Sequence, residues 1–215
     1  MGEAIRQFDV RNEDLLSYDA QGIAPLHSCA GTTVAFGRIQ PGCSGMQGIS
    51  SEGCEDNAVV LSGILSYPTA PGQEVFVSKG SWVVTRPGEI CGYCNRSARP
   101  VTLFIFRPRA RGPARESGAG PRVFTPAGPP NAVRLPAYQT ETSRGEVLSL
   151  HPGENAALSL VPFGAALVTG GRVMVLAGRE KISLDEGEGI AFTGTAVEFV
   201  GVGGLSTVAV FSTAR

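Results

Sequence analysis

Residues 87–95, PGEICGYCN, hold two cysteines at the spacing of a dithiol redox centre. In redox proteins of that kind the first cysteine lies at the N-terminus of a helix, which lowers the pKa of its thiol. Here a proline and the β-rich run VTLFIF follow instead. On a strand, Cys91 and Tyr93 share one face and Cys94 lies on the other. The pattern therefore favours two unrelated cysteines over a redox pair, and it makes Cys91 and Tyr93 candidates for one site.

The elements that position these residues are short apolar runs separated by glycine and proline turns. Examples are TTVAFGRI, NAVVLSGILSY, SWVVTR and VTLFIF, which are rich in β-branched and aromatic residues. Many short strands at close spacing are typical of an all-β barrel or sandwich. Only residues 11–19 have a helical pattern, with Asn12 as a candidate N-cap.

The sequence also repeats itself across a break in this rhythm. Residues 109–131 are dense in glycine, proline and arginine, which is typical of a linker. Before the break VVLSGILSY matches LVTGGRVMV after it, and VSKGSWVVTRPG matches LDEGEGIAFTGT. We interpret this as an internal duplication of one β-domain. The predicted boundaries are 1–108 for the N-terminal domain with a short N-terminal extension, 109–131 for the linker and 132–215 for the C-terminal domain.

Composition limits the classes of partner and the compartment. The 215 residues carry 18 basic and 19 acidic side chains, which argues against a nucleic acid or an anionic membrane as partner. No apolar run approaches the roughly 18 residues of a membrane helix, and the first residues are too acidic and polar for a signal peptide. The odd count of five cysteines favours reduced thiols. We therefore expect a cytoplasmic protein with a small-molecule ligand or substrate.

Residues 80–95, GSWVVTRPGEICGYCN, resemble the second sequence motif of the cupin family. Gly80, Gly88 and Asn95 occupy the glycine and asparagine positions of that motif. Arg86 stands in place of its first proline, and Cys91 stands in place of its metal-binding histidine.

The first cupin motif has a looser counterpart in GISSEGCEDNAVVLSG. Gly63 is its closing glycine and Asp56 lies at its glutamate position. Ser50 and Glu52 then fall at its two histidine positions, although a shift of one residue is possible because the loop varies in length.

The second half of the chain has the same framework. Residues 187–198 follow the second-motif spacing, with Glu198 at the histidine position. Gly171 closes the first motif, and Gly164 lies at its glutamate position. The resemblance implies two tandem cupin-type jelly-roll barrels that lack the family's metal ligands in both halves.

Histidine is scarce, which affects the metal chemistry that the family implies. The two histidines, His27 and His151, lie next to Pro25 and Pro152 in turn-like stretches and are interpreted as surface or capping residues. No three-histidine metal site can form. Two carboxylates and a thiolate at the vacated positions could bind zinc as an unusual alternative. Our expectation is that no metal or other cofactor is bound.

The vacated ligand positions supply the candidate site of the N-terminal barrel. Carboxyl groups in a partly buried cavity are suited to general acid/base catalysis, and a neighbouring thiol and phenol can orient a substrate or donate a proton. The candidate catalytic residues are Glu52, Asp56, Cys91 and Tyr93. The candidate substrate-binding residues are Met46, Ser50, Trp82, Arg86 and Phe104. The alternatives are that Cys91 and Trp82 only fill the core and that Glu52 and Asp56 lie in a solvated loop.

Three functions compete for this set of residues. The first is a metal-independent cupin enzyme, of isomerase, epimerase, dehydratase or cyclase type, as the resemblance to metal-free cupins of biosynthesis implies. The second is a sensor or carrier that binds a small molecule without catalysis, and the third is a metalloenzyme with a Cys/carboxylate site. The apolar C-terminal barrel is predicted to be filled by its own side chains, and a homodimer is the expected assembly.

Overall fold

A computed structural model describes residues 4–11, 22–49, 53–70, 72–110, 119–129 and 131–214, with the backbone alone at 46–49 and 70. Sixteen β-strands and no helix occur among these residues, so none of the described segments is a helix that could cross a bilayer. The strands are β1 (Ile5–Asp9), β2 (Ile23–Cys29), β3 (Thr32–Ile39), β4 (Ser44–Ile49), β5 (Asp56–Ser62), β6 (Ile64–Ala70), β7 (Gln73–Ser78), β8 (Trp82–Thr85), β9 (Ile90–Cys94), β10 (Val101–Arg107), β11 (Arg122–Phe124), β12 (Arg134–Gln139), β13 (Ser143–Leu150), β14 (Asn155–Ala177), β15 (Glu180–Asp185) and β16 (Glu188–Thr213). The predicted all-β class is confirmed. The predicted helix at 11–19 lies outside the described residues except for Arg11.

The chain divides into two compact units. The N-terminal unit is Asn12–Thr125, and the C-terminal unit combines Pro126–Arg215 with Met1–Arg11. This division differs from the predicted boundaries at two places. The N-terminal extension joins the C-terminal unit, because β1 pairs antiparallel with β16. Part of the predicted linker forms β11, which pairs with β8 of the N-terminal unit.

The N-terminal unit contains two antiparallel sheets. One has the strand order β11-β8-β5-β10-β3-β2, and the other has the order β4-β9-β6-β7. Side chains from both sheets meet in one hydrophobic core, to which Leu65 and Val77 contribute from the smaller sheet and Val83 and Leu103 from the larger. Two apolar faces that pack together in this way are the basis of a β-sandwich or jelly roll.

In the C-terminal unit one sheet folds back on itself. Its two longest strands, β14 and β16, pair with each other more than once, so that Gly164 lies opposite Phe192 on one side and Ser212 on the other. Residues 198–200 of β16 likewise pair with two separate parts of β14. The enclosed core consists of the unit's own apolar side chains, including Leu148, Phe192 and Phe199.

Two glycines of the motif framework occupy places that require glycine. Gly63 has φ of +79°, and a Cβ there would lie 2.7 Å from Cγ2 of Val101. Gly171 has φ of +75°, and a Cβ there would lie 2.7 Å from the carbonyl oxygen of Leu205. Both positions therefore need a residue with no side chain that tolerates the left-handed conformation.

Candidate functional site

A cavity of about 130 Å³ lies between the two sheets of the N-terminal unit. The larger sheet contributes residues of β2, β5, β8 and β10, and the smaller sheet contributes residues of β6 and β9. The lining residues are Ile23, Asp56, Asn57, Ala58, Tyr67, Val83, Thr85, Cys91, Gly92, Tyr93, Leu103, Ile105 and Arg107. Three of the four candidate catalytic residues, Asp56, Cys91 and Tyr93, are among them. The fourth, Glu52, lies outside the described residues.

An ion pair between Asp56 and Arg107 forms the charged part of the cavity. Asp56 begins β5 and Arg107 ends β10, and these strands are antiparallel neighbours with Asn57 opposite Phe106. Nε of Arg107 donates a hydrogen bond to Oδ1 of Asp56. The two side chains are 34% and 36% exposed, so solvent reaches the pair. Thr85 lies directly opposite Asp56 on the other flanking strand, β8.

Cys91 and Tyr93 both line the cavity, as the alternation of side chains along β9 predicts. Cys91 is buried, and burial raises the pKa of its thiol; the nearby charge of Asp56 raises it further. The thiol is therefore protonated near neutral pH, where it is a poor nucleophile. All five cysteines are free, so Cys91 and Cys94 form no disulfide.

Two tyrosines form the aromatic part of the wall. The rings of Tyr67 and Tyr93 meet edge-on, with centroids 6.3 Å apart and planes at 60°. Burial raises the pKa of Tyr67, and the proximity of Tyr93 and Asp56 raises it further. The Tyr67 phenol therefore keeps its proton and offers a hydrogen-bond donor at the cavity wall.

Three of the candidate substrate-binding residues do not line this cavity. Trp82 and Phe104 are fully buried, but they lie on the opposite strand faces from the lining residues of β8 and β10. Arg86 is exposed, and its backbone N–H donates to Oε2 of Glu89 over 2.7 Å. The strands WVVT and VTLFIF are apolar on both faces, so their composition gave no sign of which face turns inward.

The side chains of the other two candidate substrate-binding residues lie outside the described part of the structure. Ser50 lies outside the described residues, and of Met46 the structure describes only the backbone, in β4.

Arg107 and Tyr67 also line the cavity and are not among the residues predicted from the sequence. Arg107 shares strand parity with Leu103 and Ile105, so alternation along β10 would have placed all three on one face. That Arg107 meets Asp56 depends on the pairing of β5 with β10, which local sequence does not encode. Tyr67 carried no motif signal.

Asn95, the motif asparagine, has a structural role in the turn after β9. Its amide nitrogen donates to the carbonyl oxygens of Ile39 (2.9 Å) and Arg99 (2.8 Å), and its oxygen accepts from the backbone N–H and the hydroxyl of Ser97. The side chain is fully buried. These bonds fix the turn that leads from β9 into β10.

The metal site that the family resemblance implies does not fit the described residues, which leave out Ser50 and Glu52. No histidine lines the cavity. The carboxylate of Asp56 is paired with Arg107. Within the described parts of the chain, no group of three or more His, Cys, Asp and Glu side chains is arranged to hold a metal ion. His27 lies on the edge strand β2, and His151 lies in the turn between β13 and β14.

Comparisons with known proteins give likeness in structure only. No protein-family model and no curated protein sequence matches the chain. The protein Ylba from E. coli superposes with a TM-score of 0.76 at 16% identity, over 98% of this chain and 90% of its own. A putative glyoxylate induced protein from Pseudomonas aeruginosa superposes with a TM-score of 0.77 at 13% identity, over 99% of this chain and 90% of its own.

A third similar structure is salicylate 1,2-dioxygenase from Pseudoaminobacter salicylatoxidans. It gives a TM-score of 0.71 at 13% identity, over 97% of this chain and 80% of its own. These neighbours are cupin-type proteins. The chain therefore has an all-β, cupin-type fold. Sequence identities this low support a similarity of fold and do not extend to function.

Proposed function

We propose that the protein is an enzyme that acts on a small organic molecule by proton transfer in the cavity of the N-terminal unit, without a metal. The observation that carries the proposal is the meeting of Asp56, Arg107, Tyr93 and Tyr67 at one cavity. The reaction class is isomerisation, epimerisation, dehydration or cyclisation, each of which moves a proton between atoms of the substrate or its leaving group.

Each group has a role that its surroundings support. Asp56 supplies the carboxylate oxygen that accepts a proton from the substrate and returns it. Arg107 holds Asp56 in place and offers further N–H donors to an oxygen that gains negative charge. Tyr67 donates a hydrogen bond, and Tyr93 lies beside it. Cys91 contributes a small protonated thiol to the wall.

A binding protein without catalysis is the second candidate, and one observation favours it. Asp56 is engaged by Arg107, so a substrate must compete with or share that contact before Asp56 can take a proton. A carrier or sensor needs no such exchange. The test must therefore distinguish binding from chemistry.

Proton transfer can be tested before the natural substrate is known. The protein is incubated in D2O with a panel of small carbonyl and hydroxy compounds, such as hydroxyacetone, dihydroxyacetone and glyceraldehyde, and deuterium uptake at carbon is followed by NMR. We expect the wild-type protein to accelerate exchange for at least one compound and Asp56→Asn to lose that acceleration. The matched control is Asp185→Asn, which removes a carboxylate from an exposed pair in the C-terminal unit.

Three results would contradict the proposal. A compound that binds but exchanges no faster than in buffer would favour the binding protein. Full activity in Asp56→Asn would remove Asp56 from the mechanism. Loss of activity on treatment with a chelator, together with one equivalent of a metal that disappears in Cys91→Ser, would favour the metalloenzyme.

A further inference from the structure

The full charges at the cavity wall cancel. Among the described residues that line the cavity, Asp56 carries the single full negative charge and Arg107 the single full positive charge, and the two are in direct contact. The other polar groups, Asn57, Thr85 and the tyrosine hydroxyls, are uncharged hydrogen-bonding groups. The described part of the cavity wall therefore presents a donor and an acceptor side by side with no net charge.

Such a pair discriminates against ions of either sign. A carboxylate drawn to Arg107 would also approach the like charge of Asp56, and an ammonium drawn to Asp56 would approach Arg107. Either ion also loses hydration when it enters a cavity with aliphatic walls such as Leu103 and Ile105. An uncharged molecule with a hydroxyl group can donate a hydrogen bond to Asp56 and accept one from Arg107 without either cost.

The volume limits the size of the ligand. A cavity of about 130 Å³ is close to the roughly 150 Å³ of an apolar engineered cavity that takes up benzene. The part of the ligand inside the cavity therefore has about six to eight non-hydrogen atoms. Its body lies among Val83, Leu103 and Ile105, and its polar group lies toward the ion pair.

We propose that the cavity selects small molecules without net charge and that the Asp56–Arg107 pair is the determinant of this selectivity. The inference rests on the proposed function in one respect, that this cavity is the binding site. It adds the class of ligand, and it holds for an enzyme and for a carrier alike.

Three probes of similar shape test the proposal, namely benzyl alcohol, benzoate and benzylammonium. Their dissociation constants are measured by calorimetry at neutral pH and low salt. For the wild-type protein we expect benzyl alcohol to bind at least about tenfold more tightly than either ion, the scale of one uncompensated charge contact. We expect Asp56→Asn to bind benzoate best, and Arg107→Gln to bind benzylammonium best, because each leaves one charge uncompensated.

Control variants distinguish the effect of the Asp56–Arg107 pair from the effect of a changed net charge of the protein. Asp185→Asn and Arg96→Gln each remove one charge from an exposed ion pair elsewhere, and they are expected to keep the wild-type order of affinities. The double variant Asp56→Asn/Arg107→Gln leaves no unpaired charge and is expected to prefer benzyl alcohol again. If one single variant fails to fold, as judged by circular dichroism, the other single variant tests the proposal alone, because it too leaves one charge uncompensated.

The outcomes distinguish this inference from the proposed function. Ala58→Phe places a ring in the cavity and is expected to abolish binding of all three probes. If an ion binds best to the wild-type protein and Ala58→Phe removes that binding, the proposed selectivity for uncharged molecules is wrong and the cavity remains the binding site. If no probe binds, or if Ala58→Phe changes nothing, the cavity itself is overturned as the site. An unchanged order of affinities in all Asp56 and Arg107 variants would remove the pair as the determinant.

Discussion

At the scale of single residues, the cavity wall depends on the contact between Tyr93 and Gly45. The two residues lie opposite each other on β9 and β4. A Cβ at position 45 would lie 2.1 Å from Cζ of Tyr93 and 2.4 Å from its hydroxyl oxygen. The ring therefore lies across β4 in space that only glycine leaves open.

Gly45→Ala is predicted to displace the Tyr93 ring and to lower the free energy of unfolding by about 1–3 kcal/mol, as overpacking of a core does. Urea denaturation measures the stability, and the NMR signals of the Tyr93 ring report its displacement. Gly204→Ala is the matched control, since a Cβ there meets nothing within 4 Å. Equal stability of the two variants would contradict the contact.

The raised pKa of Tyr67 predicts how stability depends on pH. Because folding raises the pKa of this phenol, chiefly through burial, its contribution to stability is complete below the unfolded pKa of about 10 and is lost as pH rises above it. We predict that the free energy of unfolding of the wild type falls above about pH 10. In the Tyr67→Phe variant it is expected to fall less steeply with pH. Urea denaturation across this range measures both slopes. Parallel slopes would contradict the burial of an ionisable phenol.

At the scale of elements, the turn from β9 to β10 determines how the cavity is built. β9 carries Cys91 and Tyr93, and β10 carries Arg107 at its far end. Asn95 joins this turn to the end of β3, because it bonds to Ile39 and to Arg99. The motif asparagine therefore acts on the site through the backbone.

Asn95→Ala is predicted to lower the free energy of unfolding by about 1–3 kcal/mol or more, the usual cost of leaving buried polar groups without partners. Urea denaturation measures the loss, and an unchanged dependence on urea concentration would show that the folded state stays compact. Asn155→Ala removes the same amide at an exposed position and is expected to change little. A loss at Asn95 no larger than at Asn155 would contradict the structural role.

At the scale of the whole molecule, β1 belongs to the C-terminal unit. Ile5 packs against that unit's core, and the N–H of Thr193 donates to the carbonyl oxygen of Ala4 over 2.9 Å.

Ile5→Ala is predicted to loosen β1, so that the amide of Thr193 exchanges with solvent faster. Hydrogen exchange measures this, with Arg6→Ala, at an exposed position of the same strand, as control. Unchanged exchange at Thr193 would contradict the docking of β1.

Sequence could predict the features of this molecule that depend on local pattern. β-branched runs between glycine turns predicted the strands and the all-β class, and alternation along β9 predicted that Cys91 and Tyr93 share a face. It could not predict contacts that depend on pairing between distant strands. Arg107 contacts Asp56 only because β10 pairs with β5. Similarly, β1 pairs with a segment of β16 that lies about 180 residues later in the sequence.

The proposed functional site is the cavity of the N-terminal unit. The most direct test is an NMR titration of the wild-type protein with benzyl alcohol, observing methyl groups. We predict saturable shifts at Val83, Leu103 and Ile105, and none at Leu148 or Leu150 in the core of the C-terminal unit. No shift at the cavity methyls, or shifts confined to the C-terminal unit, would contradict it.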